Sequence, residues 1–435
     1  MNKEYIAVIQ AGGKGTRMVS LTQDLIPKPM LLINGKPMIE WQIENLKEYG
    51  IQEIYVIVGH LGEKIEEYLG DGNILGVRIH YIREKKPLGS AGSLFYLKDI
   101  ARNRNIILVF GDVMMKLDWK RMMSFHEKKD ATATLLVHPN SHPYDSDLVV
   151  LDEEKRVVAF DSKKNKRDYA YDNLVNAGIY ILSGKLLKRF KRAEKLDLEK
   201  DVLVSLLEEG KIYGYQTPEY VKDAGTPERF AKCCEEQKRG VWDAKCLCNE
   251  QRAIFIDRDG TMNKFRGLIS TEDALELEEG VAEAVRMINE SGYLAICVTN
   301  QPVVARGMCS IEDVQRIHRK LATLLGNQGA FLDDIIFCPH HPDKGYLEEN
   351  PIYKVKCDCR KPSIGMIQRM QERYNINLSK SYMIGDSTID IQTGINAALQ
   401  TILVRTGQAG KDGKYDIMPD EEADNLLEAI NKILG

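Results

Sequence analysis

Short β-rich runs alternate with amphipathic helical stretches along almost the whole of this chain, and the alternation breaks off only once. Such a pattern restricts the chain to parallel α/β architecture, because each strand needs a helical crossover to re-enter its sheet in the same direction. The first series comprises YIAVIQ (5–10), EIYVIVG (53–59), RIHYI (78–82), NIILVFG (105–111) and ATATLLVH (131–138). Between 228 and 252 the texture turns charged and loses strand alternation. AIFI (253–256) then opens a second series, with YLAICVTN (293–300), DIIFCPH (334–340), SYMIGDS (381–387) and TILVRTG (401–407). A length of 435 residues exceeds one ordinary domain. The expectation is two domains, 1–232 and 251–435, with 233–250 as a linker that follows a terminal helix. No internal period marks a repeat array.

Composition removes several function classes. Sixty Lys and Arg against 64 Asp and Glu leave a net charge of -4, so there is no basic excess to hold a phosphodiester backbone. The start, MNKEYIAVIQAGG, lacks the apolar core of a signal peptide, and no apolar run is long enough to cross a bilayer. The expectation is a soluble, cytoplasmic protein that acts on small molecules, binds neither nucleic acid nor membrane, and is compatible with a homo-oligomer. Nine cysteines at irregular spacing do not form a disulfide framework in such a chain. Metal ligation is the reading to test.

The first strand runs directly into Ala11-Gly12-Gly13-Lys14-Gly15-Thr16-Arg17. Closely spaced glycines let backbone N–H groups converge on phosphate oxygens, and Lys14 and Arg17 add positive charge. Alone, this cluster would read as an ordinary turn. It is accompanied by Pro27-Lys28-Pro29, by a second glycine loop at Pro87–Ser93, by Gly111-Asp112 at a strand end, and by Asp223-Ala224-Gly225-Thr226-Pro227. A carboxylate at a strand's C-terminal edge is well placed for Mg²⁺.

In this order the residues resemble the sugar-phosphate nucleotidyltransferases over 1–232. That resemblance implies a Rossmann-like, GT-A-like fold and attack by a sugar 1-phosphate on the α-phosphorus of a nucleoside triphosphate. Gly12, Gly13, Gly15, Thr16 and Arg17 would hold the triphosphate and Lys28 would touch the reacting phosphates. Gly89 would line the base and sugar pocket, Asn176 and Gly178 the sugar segment, and Asp112 and Asp223 would bind Mg²⁺. Lys163 fits a phosphate-contacting lysine, although Ser162 stands where the family usually carries a carboxylate for sugar hydroxyls.

In the second series, AIFI is followed by Asp257-Arg258-Asp259-Gly260-Thr261. Two carboxylates at i and i+2 on the loop leaving a strand can divide nucleophilic and acid–base work. Thr299-Asn300-Gln301, Arg360-Lys361 and Gly385-Asp386 with Asp390 follow in order. This constellation resembles the haloacid dehalogenase (HAD) phosphatases over 251–435 and implies a HAD-like Rossmannoid fold. Asp257 would be the nucleophile and Asp259 the general acid and base, with Thr299 and Lys361 neutralising charge and Asn300 binding substrate. Asp257, Asp386 and the backbone carbonyl of Asp259 would hold a second Mg²⁺, and Asp390 would at most orient its neighbours.

Cys338-Pro339-His340 and Cys357-Asp358-Cys359 supply four soft or borderline ligands in two tight pairs, the pattern of a closed structural Zn²⁺ site. His341 is adjacent, but Cys-x-His matches the family spacing and favours His340. Cys233, Cys234, Cys246 and Cys248 read as ordinary thiols. CPHHPD…CDCRKP, with Ala305-Arg306-Gly307, resembles the heptose bisphosphate phosphatases, which makes Arg306 and Arg360 candidates for gripping the sugar or its second phosphate. Together the halves imply a bifunctional enzyme of GDP-heptose formation. The alternatives are a mannose 1-phosphate guanylyltransferase fused to a histidinol-phosphate-type phosphatase, and a non-catalytic nucleotide-sugar-binding module fused to a phosphatase.

Overall fold

The computed structural model describes residues 4–346 and 348–435. The chain forms two compact units. The first contains the residues up to His138, Val149–Asp161 and Asn176–Cys248; the second contains Pro139–Leu148, Ser162–Val175 and Asn249–Gly435.

The first unit is built on a nine-stranded sheet. Its centre is strand β1 (Tyr5–Gln10), whose Ile6, Ala7, Val8 and Ile9 are wholly buried. Burial on both faces explains why the strand reads as a continuous apolar run and not as an alternation. Strand β2 (Glu53–Val58) pairs parallel with β1 on one side, and β3 (Arg78–Arg83) extends the sheet beyond it. Strand β4 (Asn105–Phe110) pairs parallel with β1 on the other side, and β5 (Val175–Ser183) runs antiparallel along β4. The chain thus winds outward from β1 in one direction and then returns across it. The crevice this reversal opens at the carboxyl ends of β1 and β4 is where a ligand site belongs in such a sheet.

The second unit has a six-stranded, wholly parallel sheet. Strand β6 (Arg252–Ile256) lies between β7 (Tyr293–Asn300) and β9 (Tyr382–Gly385), while β8 (Asp334–Cys338) flanks β7 and β10 (Gln400–Val404) flanks β9. The same reversal occurs here, at β6. The helix Val281–Ser291 buries Val281, Ala284, Val285 and Ile288, the i, i+3, i+4, i+7 stripe of an amphipathic helix on a sheet. Among the described residues no helix is long and apolar enough to cross a membrane.

The stretch 233–250, expected as a linker, is instead packed. Helix Pro227–Lys238 buries Cys233, and Trp242 (3% exposed) stacks on Tyr220 at 5.1 Å and meets Trp41 edge-on at 5.4 Å. Charge on the outer face hid two apolar anchors, Cys233 and Trp242, on the inner one. Glu219 completes the attachment: its buried carboxylate accepts from the backbone N–H groups of Asp118 (2.7 Å) and Leu247 (3.0 Å) and from the Thr217 hydroxyl (2.9 Å). Burial outweighs these donors and raises its pKa from 4.5 to about 7. The folded state therefore holds the proton more tightly than the unfolded chain. This contribution to stability is complete below pH 4.5, declines as pH rises and is gone above about pH 7. Unfolding midpoints across that window are expected to show a loss of up to ~3 kcal/mol that Glu219→Gln flattens.

Candidate active sites

At the head of the first sheet lies a cavity of about 440 Å³. Gly12, Gly13, Gly15, Thr16 and Arg17 line it together with Gly89, Ser90, Lys28 and Asp112. Lys28 is 8% exposed and its Nζ lies 2.7 Å from Asp112 Oδ2. Strand Tyr220–Asp223 pairs antiparallel with Val113–Lys116, so that Asp223 stands opposite Val113 and the Ala224 N–H donates to the carbonyl of Asp112 at 2.8 Å. This ladder brings two aspartates, 111 positions apart in sequence, to one strand end. Asp223 is also gripped by Arg229 (2.7 Å). Gly225 marks the point of convergence: a Cβ there would sit 2.6 Å from Asp223 Oδ1, 2.9 Å from Arg17 Nη2 and 3.1 Å from Lys28 Nζ. Oxygen donors from two aspartates beside fixed cations are of the kind that would suit a hard divalent ion.

Two parts of the expected sugar site behave differently. Asn176 spends its amide on Glu199 (2.8 Å) and the Tyr180 hydroxyl (2.9 Å), and its Oδ1 accepts from the Gly178 N–H. Glu199, which sequence reasoning did not single out, supplies a carboxylate beside it. Lys163 belongs to 162–175, which groups with the second unit, and its ammonium lies 3.3 Å from Asp145.

At the head of the second sheet, Asp257 follows β6 and Asp386 follows β9, on the two sides of the strand reversal. Ligand oxygens of Asp257, Asp386 and Asp390 lie within 4.8 Å of one another. Lys361, 4% exposed, reaches Asp257 Oδ1 (2.7 Å), Asp390 Oδ1 (2.6 Å) and the Val298 carbonyl (2.9 Å). Three carboxylates thus face one ammonium in a dry site. Burial, with the neighbouring carboxylates, raises Asp257 to about 7 and Asp386 to about 8. The uncompensated negative charge fits a divalent cation with oxygen ligands. Gly260 (φ +85°) makes the turn after Asp259, and a Cβ there would run into the Asp386 carboxylate.

Thr299 is buried, and its hydroxyl accepts from Gln301 Nε2 at 2.9 Å. Asn300 grips both backbone groups of Lys361, donating to its carbonyl (3.1 Å) and accepting from its N–H (3.0 Å), so the structure uses it to hold the lysine. Arg306 stacks over Tyr346 at 4.4 Å with its Nε buried and without a hydrogen-bond partner; Lys354 lies over the same ring at 5.0 Å. Neither Tyr346 nor Lys354 carries a local motif that could have announced it. Arg360 donates to the His340 carbonyl at 3.2 Å.

Cys338, His340, Cys357 and Cys359 converge on one point. The sulfurs of Cys338 and Cys357 are 3.5 Å apart, those of Cys357 and Cys359 3.3 Å, and His340 Nδ1 lies 3.6 Å from Cys338 Sγ. The edges of a tetrahedral zinc–thiolate site are roughly 3.8 Å, so the donor set and spacing fit that ion. His341 turns away and accepts from the Asp343 N–H.

Residues 6–239 match the protein family described as Nucleotidyl transferase, and residues 358–429 the family described as HAD-hydrolase-like. Over 243 residues the chain is 34% identical to the mannose-1-phosphate guanylyltransferase of Mycobacterium tuberculosis, an alignment spanning 55% of this chain and 67% of that protein. Over 157 residues it is 40% identical to the D-glycero-beta-D-manno-heptose-1,7-bisphosphate 7-phosphatase of Yersinia pestis, spanning 36% of this chain and 81% of that protein. The structure of HddC from Yersinia pseudotuberculosis is 27% identical, with a TM-score of 0.47, and the match covers 54% of this chain and 99% of that one. The chain belongs to the nucleotidyl transferase family and carries a HAD-like phosphatase domain in its second half.

Proposed function

We propose that the second unit removes the 7-phosphate of D-glycero-D-manno-heptose 1,7-bisphosphate, and that the first transfers GMP from GTP to the resulting heptose 1-phosphate. The observation that carries this reading is the pairing, in one chain, of a buried three-carboxylate cluster with a cavity lined by glycines and cations. The guanylyltransferase relative supports guanine, and the heptose bisphosphate phosphatase relatives support the sugar.

In the phosphatase, a carboxylate oxygen of Asp257 attacks phosphorus and the bond to the sugar oxygen breaks as Asp259 delivers a proton to that oxygen. Asp259 then takes a proton from water, which attacks the aspartyl-phosphate, releases inorganic phosphate and restores Asp257. Lys361 and the Thr299 hydroxyl oppose the charge of the transferring group. Arg306 presents positive charge for the remaining phosphate, while the Lys354 ammonium is paired with Glu349 at 3.2 Å. In the transferase, an oxygen of the sugar 1-phosphate attacks the α-phosphorus and pyrophosphate leaves. The loop 12–17 orients the triphosphate, and Lys28 and Arg17 stabilise the charge that develops. Asp112 and Asp223 in the first unit, and Asp257, Asp386 and the Asp259 carbonyl in the second, would hold Mg²⁺, which would supply electrostatic neutralisation of phosphate oxygens.

Cys338, His340, Cys357 and Cys359 would hold a structural Zn²⁺ that ties their two segments together and takes no part in the chemistry. Cys357→Ser is expected to release one equivalent of zinc, read by metal analysis of the purified protein. Phosphatase activity should fall more than tenfold and nucleotidyl transfer should persist. Retention of full zinc content would remove Cys357 from the ligand set.

Mass spectrometry of products formed from heptose 1,7-bisphosphate and mixed NTPs tests the whole reading. GDP-heptose as the dominant nucleotide sugar supports it. Phosphate release without any nucleotide sugar would leave the first unit a binding module. Turnover of mannose 1-phosphate in preference to heptose 1-phosphate would favour the second reading, for which the 34% identity to the mannose enzyme speaks.

A further inference from the structure

The carboxylate of Asp259 is held by donors of its own, separate from the lysine that serves Asp257. Arg258 Nη2 lies 2.9 and 2.8 Å from its two oxygens, and Nε lies 3.2 Å from Oδ1. Gln301 Nε2 donates to Oδ2 at 2.8 Å and Asn263 Nδ2 to Oδ1 at 3.2 Å. The two carboxylates of the Asp-x-Asp motif are thereby drawn to different cations, Lys361 for the first and Arg258 for the second.

Arg258 is 0% exposed, so each of its N–H groups needs a partner within the protein. Nη2 and Nε are spent on Asp259. Nη1 points the other way and meets His318 Nε2 at 3.2 Å. His318 comes from helix Ile311–Gly326, which is anchored by the Ser310–Asp313 capping box and by buried Val314, Ile317 and Leu321. Its ring is buried and packs edge-on against Phe337, with centroids 5.1 Å apart. Burial and the Arg258 charge both hold the imidazole neutral, which leaves Nε2 able to accept. The reaction as described above uses neither residue.

We propose that His318 is a positioning residue of the phosphatase: by accepting from Nη1 it fixes the rotation of the buried guanidinium, and the guanidinium fixes where the Asp259 carboxylate stands. Without this acceptor, Nη1 is left unsatisfied in a dry site and the guanidinium turns toward the nearest alternative oxygen, taking its grip on Asp259 with it. The inference rests on the reading of Asp259 as general acid and base.

The test exploits the leaving group. A sugar alkoxide needs a proton as it departs, whereas p-nitrophenolate does not. For both phosphate esters kcat/KM reports the steps up to aspartyl-phosphate formation. The full-length protein with His318→Phe is expected to lose about 10- to 100-fold in kcat/KM on heptose 1,7-bisphosphate and less than about 3-fold on p-nitrophenyl phosphate. His318→Asn, which keeps an acceptor, is expected to recover most of the loss and also guards against a variant that merely folds badly. Asp259→Asn run in parallel should show the same leaving-group selectivity, only larger. If Asp259→Asn is selective while His318→Phe lowers both substrates equally, or neither, the inference is overturned and the acid–base reading stands. If Asp259→Asn shows no selectivity, the acid–base reading falls and the inference with it.

Discussion

Asp257→Asn is expected to abolish phosphate release from heptose 1,7-bisphosphate, by about 10³-fold or more, while nucleotidyl transfer to supplied heptose 1-phosphate stays within about 2-fold of the parent. The size follows from the role: an amide cannot form the aspartyl-phosphate, and no nearby group substitutes for it. Asp390 is held by Lys361 and by the Ser387 hydroxyl (2.6 Å), and Asp386 by the Gln408 N–H (2.6 Å). The fold should survive, because asparagine keeps an Oδ1 that can accept from Lys361 Nζ, and removing one of three clustered carboxylates relieves repulsion. Phosphate release and pyrophosphate release, measured on the same preparation, check both halves at once. Loss of both activities would contradict independent sites.

Lys28→Met should produce the complementary pattern. The ammonium at 28 is the buried cation of the nucleotide cavity. It pairs with Asp112 and converges with Arg17 on Gly225, so its removal takes charge from the place where the transferring phosphate gains it. Fixed charge in a water-poor site acts more strongly than in solvent. A fall of about 10²- to 10³-fold in kcat/KM for pyrophosphate release is expected, with phosphatase activity unchanged. Methionine retains the apolar stem, which already lies against Gly15, where an added Cβ would come within 3.3 Å of Lys28 Cβ. Lys28→Arg is expected to restore little, since the planar fork needs more room than the ammonium it replaces. Unimpaired transfer in Lys28→Met would remove the cavity from the reaction.

Both predictions concern residues that can be picked out from sequence, Lys28 from Pro27-Lys28-Pro29 and Asp257 from its place at a strand end. Asp257 and Asp386 follow directly on a strand, Asp112 and the loop 12–17 begin one residue beyond one, and parallel α/β topology delivers strand ends to one edge whatever the intervening helices do. The zinc ligands are equally legible, because two tight pairs with soft donors have few uses other than closing on a metal. Asn300 was legible in position but not in role. Its neighbour Thr299 faces the site, and only the fold shows that the asparagine amide is occupied by the backbone of Lys361, 61 residues away. The charged stretch 233–250 looked like a linker because its surface face dominates its composition, while Cys233 and Trp242 bury the opposite face.

Sequence alone pointed to α/β architecture in both halves, to the order of the two domains and to candidate groups beside strand ends, since these depend on residue type next to a strand end, a local property; it did not show that β5 runs antiparallel along β4. Tertiary structure decided which carboxylate each cation serves, that Asp223 stands beside Asp112, that Glu219 is sealed from water, and that His318 completes the shell of Arg258. Those outcomes depend on distances between segments tens to hundreds of residues apart. The burial that gives them their energetic weight belongs to the packed chain and to no segment of it by itself.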